Sequence, residues 1–180
     1  MIRDFDFSDL LTLNRYRRQG LFLDSAPMLT WGRPMVPAAA ALSPLSGALG
    51  VFTALFEAAD EESIVAQISH AQDSPFAHFT FLAPDHAVSS PALGELLEYL
   101  IRKVGERGAH SLVAEVDEKS HTFEALRRAH FSIYSRQRIL RMTERPAALD
   151  DAVVWRAAEP IDEFNVRKLY NLLVPGLVQQ

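Results

Sequence analysis

The chain of 180 residues contains no cysteine. Disulfide bonds, cysteine nucleophiles and thiolate metal sites are therefore excluded. The six histidines show neither an HxH nor an HExxH spacing, so the sequence predicts no metal site. Clusters of positive charge are also lacking, since no basic run exceeds a pair such as Arg17-Arg18 and the formal net charge is -5. A nucleic-acid partner is therefore not expected.

Long uninterrupted apolar segments are absent as well. The most apolar stretch, residues 35–51, is broken by Pro37, Pro44 and Gly47, and the N-terminus is charged. The pattern predicts neither a membrane span nor a signal peptide, and a cytoplasmic location is expected. With 48% hydrophobic residues, the chain has enough apolar side chains for one core and part of another.

What the chain does contain is a readable run of elements that begins at residue 76. Phe76–Leu82 is an aromatic and β-branched segment, and the turn residues 83–85 close it, as expected of a strand. Ser89 and Ser90 stand directly before Pro91, which predicts the start of a helix. The buried face of that helix is predicted from apolar positions at three- and four-residue spacing: Leu93, Leu96, Leu97, Leu100, Ile101 and Val104.

The run continues as strand, helix and strand. Gly108 suits a left-handed helix end, and Ser111–Val116 has the pattern of a buried strand. A short helix is predicted at Thr122–Ala129, with Asp117 or Ser120 as its cap, and the β pattern resumes from Phe131 to Met142. Two strands joined through a helix are most simply parallel neighbours.

The N-terminal half predicts an antiparallel meander. Ile2–Phe5 is a candidate edge strand, and Ser8 or Asp9 caps a helix that runs to Gly20. The strands Gly50–Glu57 and Ser63–His70 lead into Phe76, while residues 21–49 show no readable pattern. The whole order predicts an α/β (α+β) fold with a mixed central sheet.

This order resembles that of the GNAT superfamily of acyl-CoA-dependent N-acyltransferases over residues 1–142. Glu115–Ser120 followed by Phe123–Phe131 looks like the strand, turn, helix and closing Gly-Phe of that superfamily. The resemblance implies an antiparallel meander beside two parallel, splayed strands, with flanking helices. It also implies acetyl-CoA as the cofactor, with its pantetheine between the splayed strands, and a small-molecule or peptide amine as the acceptor.

The resemblance places the cofactor at the end of the first splayed strand. Backbone amides at Leu82 and Ala83 would polarise the thioester carbonyl. In the family, amides of the following turn hold the pyrophosphate, because N–H groups at a helix start suit an anion. The positions that match this turn are Val88, Ser89 and Ser90.

The same turn departs from the family pattern. It has no glycine, arginine or glutamine, and Pro91 removes one of the amides that would donate to phosphate. Capping of the helix is the simpler role for Ser89 and Ser90. The frequent tyrosine acid of the family is replaced by Leu126, which cannot transfer a proton.

Four residues are candidates for the chemistry. His78 could accept a proton from an incoming amine, Glu115 with Asp117 could bind the amine or act as a base, and Tyr134 could replace the missing acid. Each has an ordinary structural alternative: a satisfied strand histidine, a solvated strand end, and a tyrosine packed on the sheet.

The C-terminal segment repeats the plan of the N-terminus. Val154–Asp162 and Ile2–Asp9 each place an apolar residue and an arginine before an acidic turn and an amphipathic helix. The domain prediction is therefore a GNAT-like domain at 1–142, a linker at 143–152, and at 153–180 the start of a second GNAT copy. A strand and helix that decorate one domain are the alternative.

Two functions remain open from the sequence. One is acetyl transfer from acetyl-CoA to a primary amine by direct attack. The other is a catalytically inactive domain of the same fold that acts as a scaffold, regulatory or substrate-binding partner of an active copy. The protein partner expected in either case is a second GNAT copy or, in a homodimer, a second copy of this chain. The fold alone cannot decide between them.

Overall fold

The structure, a computed structural model, describes residues 1–16, 19–25, 50–58, 61–140 and 156–174. The chain divides into two compact units, Met1–Phe131 and Ser132–Gln180. The linker predicted at 143–152 and most of the segment 21–49 lie outside the described residues. Within the described ranges, no helix is long and apolar enough to span a membrane.

A mixed sheet organises the first unit, and its described residues form six strands. These are β1 (Ile2–Asp4), β2 (Leu21–Phe22), β3 (Val51–Ala58), β4 (Glu61–His70), β5 (Phe76–Ala83) and β6 (Ser111–Val113). Strands β1, β3, β4 and β5 lie side by side and antiparallel. The other edge of β5 carries both β6, which is parallel to it, and β2, which is antiparallel. The predicted mixed sheet with its meander is confirmed.

Three helices flank this sheet within the described part of the first unit: α1 (Leu10–Arg15), α2 (Ala92–Gly105) and α3 (His121–Arg128). The predicted face of α2 is confirmed for Leu93, Leu96, Leu97, Leu100 and Val104, which are buried. The prediction for Ile101 is wrong, since 45% of this residue is exposed. It follows Leu100 directly, and one residue turns a helix by about 100°, which takes it off the buried face.

The helix ends follow the sequence signals in two of three cases. Gly108 has the left-handed φ of +94°, as predicted for the end of α2. The Ser120 hydroxyl accepts the Phe123 N–H at 3.2 Å and caps α3. At the N-terminus, however, the cap is Asp6 rather than Ser8 or Asp9, because a 3-10 turn at 7–9 precedes α1.

The sheet separates two groups of buried side chains. The larger group lies under α2 and includes Phe79 and Leu82, whereas the smaller group includes Phe81, Tyr16 and Phe22. Residues of one strand normally alternate between the two faces of a sheet. Phe79 and Phe81 break this alternation because Thr80, between them, is skipped in the pairing of β5 with β4. Thr80 is therefore a β-bulge.

Two predicted strands are shorter than expected or do not form. The strand predicted at Ser111–Val116 ends at Val113. The closing strand predicted at Phe131–Met142 is wrong for the described residues 131–140, which have no strand pairing. A β pattern becomes a strand only where a neighbouring backbone completes the ladder, and the described part of the second unit contains no strand.

The second unit has one described helix, α4 (Glu163–Leu173), which follows a 3-10 turn at 160–162. Its apolar residues are exposed: Phe164, Val166, Leu169, Tyr170, Leu172 and Leu173.

Candidate functional site

A cleft opens where β5 leaves β6. The two strands pair at only three positions, from Phe76 with Ser111 to His78 with Val113. The bulge at Thr80 follows at once. A bulge bends and twists its strand, so the bulge explains why the two parallel strands separate here. The splayed pair that the resemblance implies is thus present.

Residues 19–25, which we call the cleft segment, fill this opening. Leu21 and Phe22 pair with the C-terminal half of β5. The Leu23 N–H donates to the Thr80 carbonyl at 3.0 Å, and the Leu23 carbonyl accepts the Glu115 N–H at 2.8 Å. The backbone of Leu23 therefore bridges the two splayed segments as a short strand would.

Both ends of the cleft segment are held by further hydrogen bonds. At its end, the Ser25 N–H donates to the Glu115 carboxylate at 2.8 Å. At its start, the Gln19 carbonyl accepts the Asp85 N–H at 2.6 Å. The segment is thus attached both to the region after β6 and to the turn after β5.

Side-chain packing also holds the cleft segment. Leu23 is 1% exposed and Phe22 is 9% exposed. The Phe22 ring meets the Phe81 ring edge-on, with their centroids 5.5 Å apart. A Cβ atom on Gly20 would lie 2.3 Å from the Phe81 ring. Since Phe81 is fully buried, only glycine allows the backbone to pass this close to the ring.

The turn after β5 uses its own amides. The N–H groups of Ala87, Ser90 and Leu93 donate to carbonyls within the turn or the first helical residues, at 3.0–3.1 Å. The Ala92 N–H donates to the Ser90 hydroxyl at 3.2 Å, and the His86 N–H donates to the Asp85 carboxylate at 2.7 Å. These groups cannot donate to a pyrophosphate without first losing their present partners.

In this arrangement, the residues do not fit acetyl-CoA bound in the manner that the resemblance implies. The cleft segment stands where pantetheine would lie between the splayed strands. The turn that would hold the pyrophosphate is closed on itself.

The predicted cofactor-binding residues differ in their accessibility. Leu82 and Ala83 are fully buried within the sheet. Val88 is buried in the larger core group, whereas Ser89 is exposed. Ser90 accepts a hydrogen bond from the Ala92 N–H before the start of α2, whose N-cap residue is Pro91.

Two of the predicted catalytic residues lie on neighbouring segments. His78 is exposed and is paired with Val113 through the backbone, and Glu115 follows Val113 by two residues. Glu115, however, already uses its carboxylate to hold Ser25. Tyr134 is part of the second unit and is 43% exposed. Leu126, at the position of the tyrosine acid, is 3% exposed in the core.

Sequence reasoning missed the cleft segment, which follows Tyr16 in the chain. Tyr16 is 1% exposed. Burial, followed by the charge of Glu62, raises the pKa of Tyr16 to about 12. A signal for this segment was present in the sequence. Gly20 is followed by the three apolar residues 21–23, a pattern typical of a short buried strand.

Known proteins resemble this chain in structure. Neither a family model nor a curated protein sequence matches it. A protein from Thermus thermophilus, solved as a point mutant, is 19% identical, with 81% of this chain and 99% of that chain covered and a TM-score of 0.54. A structure described as a probable acetyltransferase is 11% identical, with the same coverage and a TM-score of 0.50. An acetyltransferase from Trypanosoma brucei is 18% identical, covers 79% and 99% of the two chains, and has a TM-score of 0.48.

Proposed function

We propose, from the GNAT-like acyltransferase fold that this chain shares with the probable acetyltransferase, that the first unit is a non-catalytic domain of that fold. Its role is to act as a scaffold or substrate-binding partner of an active domain of the same kind. The observation that carries the proposal is the cleft segment, which pairs with β5 where the cofactor of such an enzyme would pair.

Displacement of the cleft segment would be costly. Exposure of Leu23 and Phe22 costs roughly 1.5–3 kcal/mol for each side chain. The two backbone hydrogen bonds of Leu23 add about 1 kcal/mol each. The sum is comparable to the ~8 kcal/mol of a micromolar complex. A cofactor that must displace this segment would therefore lose most of its affinity.

The groups that acetyl transfer would use are also either replaced or already hydrogen-bonded. The position that matches the family acid holds the buried Leu126, and Glu115 has its carboxylate engaged by the Ser25 N–H. A carboxylate that accepts a backbone hydrogen bond is less available to bind an amine. These features support a structural role over acetyl transfer.

Calorimetric titration of the purified chain with acetyl-CoA tests the proposal. We expect no saturable heat up to about 1 mM ligand, which corresponds to about 4 kcal/mol of binding energy. A micromolar dissociation constant would refute the non-catalytic role. Desulfo-CoA and free adenosine 3′,5′-bisphosphate, measured alongside, would show which part of the ligand binds.

A second candidate function is favoured by the splay of β5 from β6 and by the bulge at Thr80. On this view the cleft segment moves aside, and the chain transfers an acetyl group from acetyl-CoA to a primary amine. Leu82 and Ala83 would then contact the thioester, while His78 would accept the proton of the amine.

The variant Leu23→Ala separates the two candidates. If the segment only masks a working site, the variant should bind acetyl-CoA at least tenfold more tightly than the parent chain, because less packing opposes displacement. Leu11→Ala is the matched control, since Leu11 is 82% exposed. Absence of binding in Leu23→Ala, with the fold intact by circular dichroism, would leave only the non-catalytic role.

A further inference from the structure

Two segments of the chain contain the same arginine–aspartate clamp. The Arg3 guanidinium donates two hydrogen bonds of 2.7 Å to Asp9. The Arg156 guanidinium contacts both carboxylate oxygens of Asp162, also at 2.7 Å. Each arginine additionally donates to the carbonyl of the next residue, at 3.2 Å for Arg3 and 3.0 Å for Arg156.

The turn and the helix start repeat as well. The Asp6 N–H donates to Asp9 at 2.7 Å, and the Glu159 N–H donates to Asp162 at 2.9 Å. A 3-10 turn with a capping box occupies residues 7–9 in one segment and 160–162 in the other. An α-helix begins directly after each turn, at residue 10 and at residue 163. The two segments therefore have one local structure.

They differ in what covers them. In the first unit, β1 is paired with β3, and Glu57 of β3 accepts two further hydrogen bonds from Arg3, at 3.0 and 3.3 Å. Within the described residues, the carboxylates that contact Arg156 come from its own segment, Asp162 and Glu159. The arginine side chain is accordingly 28% exposed in the first segment and 56% exposed in the second.

We propose that residues 156–174 are the opening unit of a second domain of this fold, and that they bind the edge of that domain's antiparallel sheet. The strand at that edge carries a carboxylate, which Arg156 contacts as Arg3 contacts Glu57. The apolar face of α4 packs on the same domain. This inference rests on the proposed function, because it names the surface that an active partner domain would cover.

The exposed face of α4 supports the same partner. An isolated helix of this length is only marginally stable in water, and most helices are stabilised by packing of their apolar face against another element. Leu169 follows Arg156 in the sequence by the same number of residues as Tyr16 follows Arg3. Tyr16 is 1% exposed beneath the sheet of its own domain, whereas Leu169 is 56% exposed. A sheet of the same kind would bury Leu169 in the same way.

A graft tests whether the unit binds such a sheet. In the full chain, residues 155–169 replace residues 2–16, so that the sheet of the first domain serves as the probe. We expect a single cooperative unfolding transition. Replacement of the transplanted arginine, at position 3 of the graft, by alanine should lower the Tm by at least about 2–4 °C, the shift that about 1 kcal/mol produces in a chain of about 150–250 residues. Glu57→Gln in the graft should lower it as well, and the two effects should not be additive.

The first graft replaces Phe5 and Tyr16 by the smaller Ala158 and Leu169, which would leave cavities in the core. A second graft that retains Phe5 and Tyr16 therefore separates loss of packing from failure of the segment to bind the sheet. Failure of this second graft to fold would overturn the inference. A folded graft whose Tm is insensitive both to replacement of the transplanted arginine by alanine and to Glu57→Gln would overturn the inference too. Neither result depends on acetyl-CoA, so the proposed function can fail separately.

Discussion

The two clamp segments, residues 3–16 and 156–169, share their local hydrogen bonds but not their surroundings. The first is packed against β3, with the side chain of Asp9 at 6% exposure. The second has the side chain of Asp162 at 26% exposure and no residue of α4 buried. Spacing along the sequence was enough to form the clamp, the turn and the helix start in both places. Burial required a partner sheet, which only the first segment has among the described residues.

The carboxylates of the two clamps show the same contrast. The arginine hydrogen bond is the main cause that lowers the pKa of Asp9 and likewise that of Asp162. Burial away from water raises the pKa of both carboxylates and so opposes the arginine. It is the second-largest cause for Asp9 and the smallest for Asp162. The clamp itself therefore has a local origin, and burial changes how much stability is lost when the ion pair is broken.

The largest difference between the segments is expected when the equivalent residues Tyr16 and Leu169 are truncated. Tyr16→Ala should reduce the free energy of unfolding by about 3–5 kcal/mol, because it leaves a cavity in the core. Leu169→Ala should change it by less than about 0.5 kcal/mol, since Leu169 is largely exposed. Urea unfolding followed by circular dichroism measures both. Equal effects would mean that α4 is buried in solution.

The arginines should differ next. Arg3→Ala leaves the buried Asp9 carboxylate without its partner, which we expect to cost roughly 2–4 kcal/mol. Arg156→Ala removes an exposed ion pair, which is worth less than about 1 kcal/mol. Thermal unfolding of the two variants provides the measurement. The lysine variants Arg3→Lys and Arg156→Lys are controls for charge, because lysine cannot form the two-bond clamp.

Acid should destabilise the first unit through Asp9. The folded pKa of Asp9 is depressed below its ordinary value of 3.8. The stability that this provides is present above the unfolded pKa and is lost as the pH falls through the folded one. Unfolding curves between about pH 5 and pH 2 should therefore show a loss that Asp9→Asn reduces. A parent chain and Asp9→Asn with parallel profiles would contradict this assignment.

The smallest effect is expected at the caps. The Asp6 carboxylate accepts the Phe7 N–H at 2.6 Å, so Asp6→Ala should destabilise the first unit by about 1 kcal/mol. Glu159→Ala should leave the main unfolding transition unchanged, because its turn lies in the second unit. Differential scanning calorimetry can resolve the two. A shift of the main transition by Glu159→Ala would show that the second segment supports the first domain.

Much of the fold was predictable because local patterns carried it. The spacing of Leu93, Leu96 and Leu100 predicted the buried face of α2, and Gly108 predicted its end. The order of elements predicted the parallel pairing of β5 with β6. The strand predicted at Phe131–Met142 was wrong over the described residues because a β pattern does not specify a pairing partner.

The candidate site was predictable only in part. The strand that carries His78 pairs with β6, two residues before Glu115, and the roles of His78 and Glu115 in chemistry remain predictions. The segment that fills the cleft was missed, because its contacts with Thr80 and Glu115 join residues far apart in the chain. No periodicity within residues 19–25 could have revealed them.

By itself, the sequence determined the buried face of α2, the cap of α3 and the two arginine–aspartate clamps, since each depends on residues a few positions apart. The tertiary structure alone decided that residues 19–25 enter the cleft and that one clamp segment is covered while the other is exposed. Both outcomes depend on which distant backbone and apolar surfaces meet, and that is a property of the packed chain rather than of any short stretch.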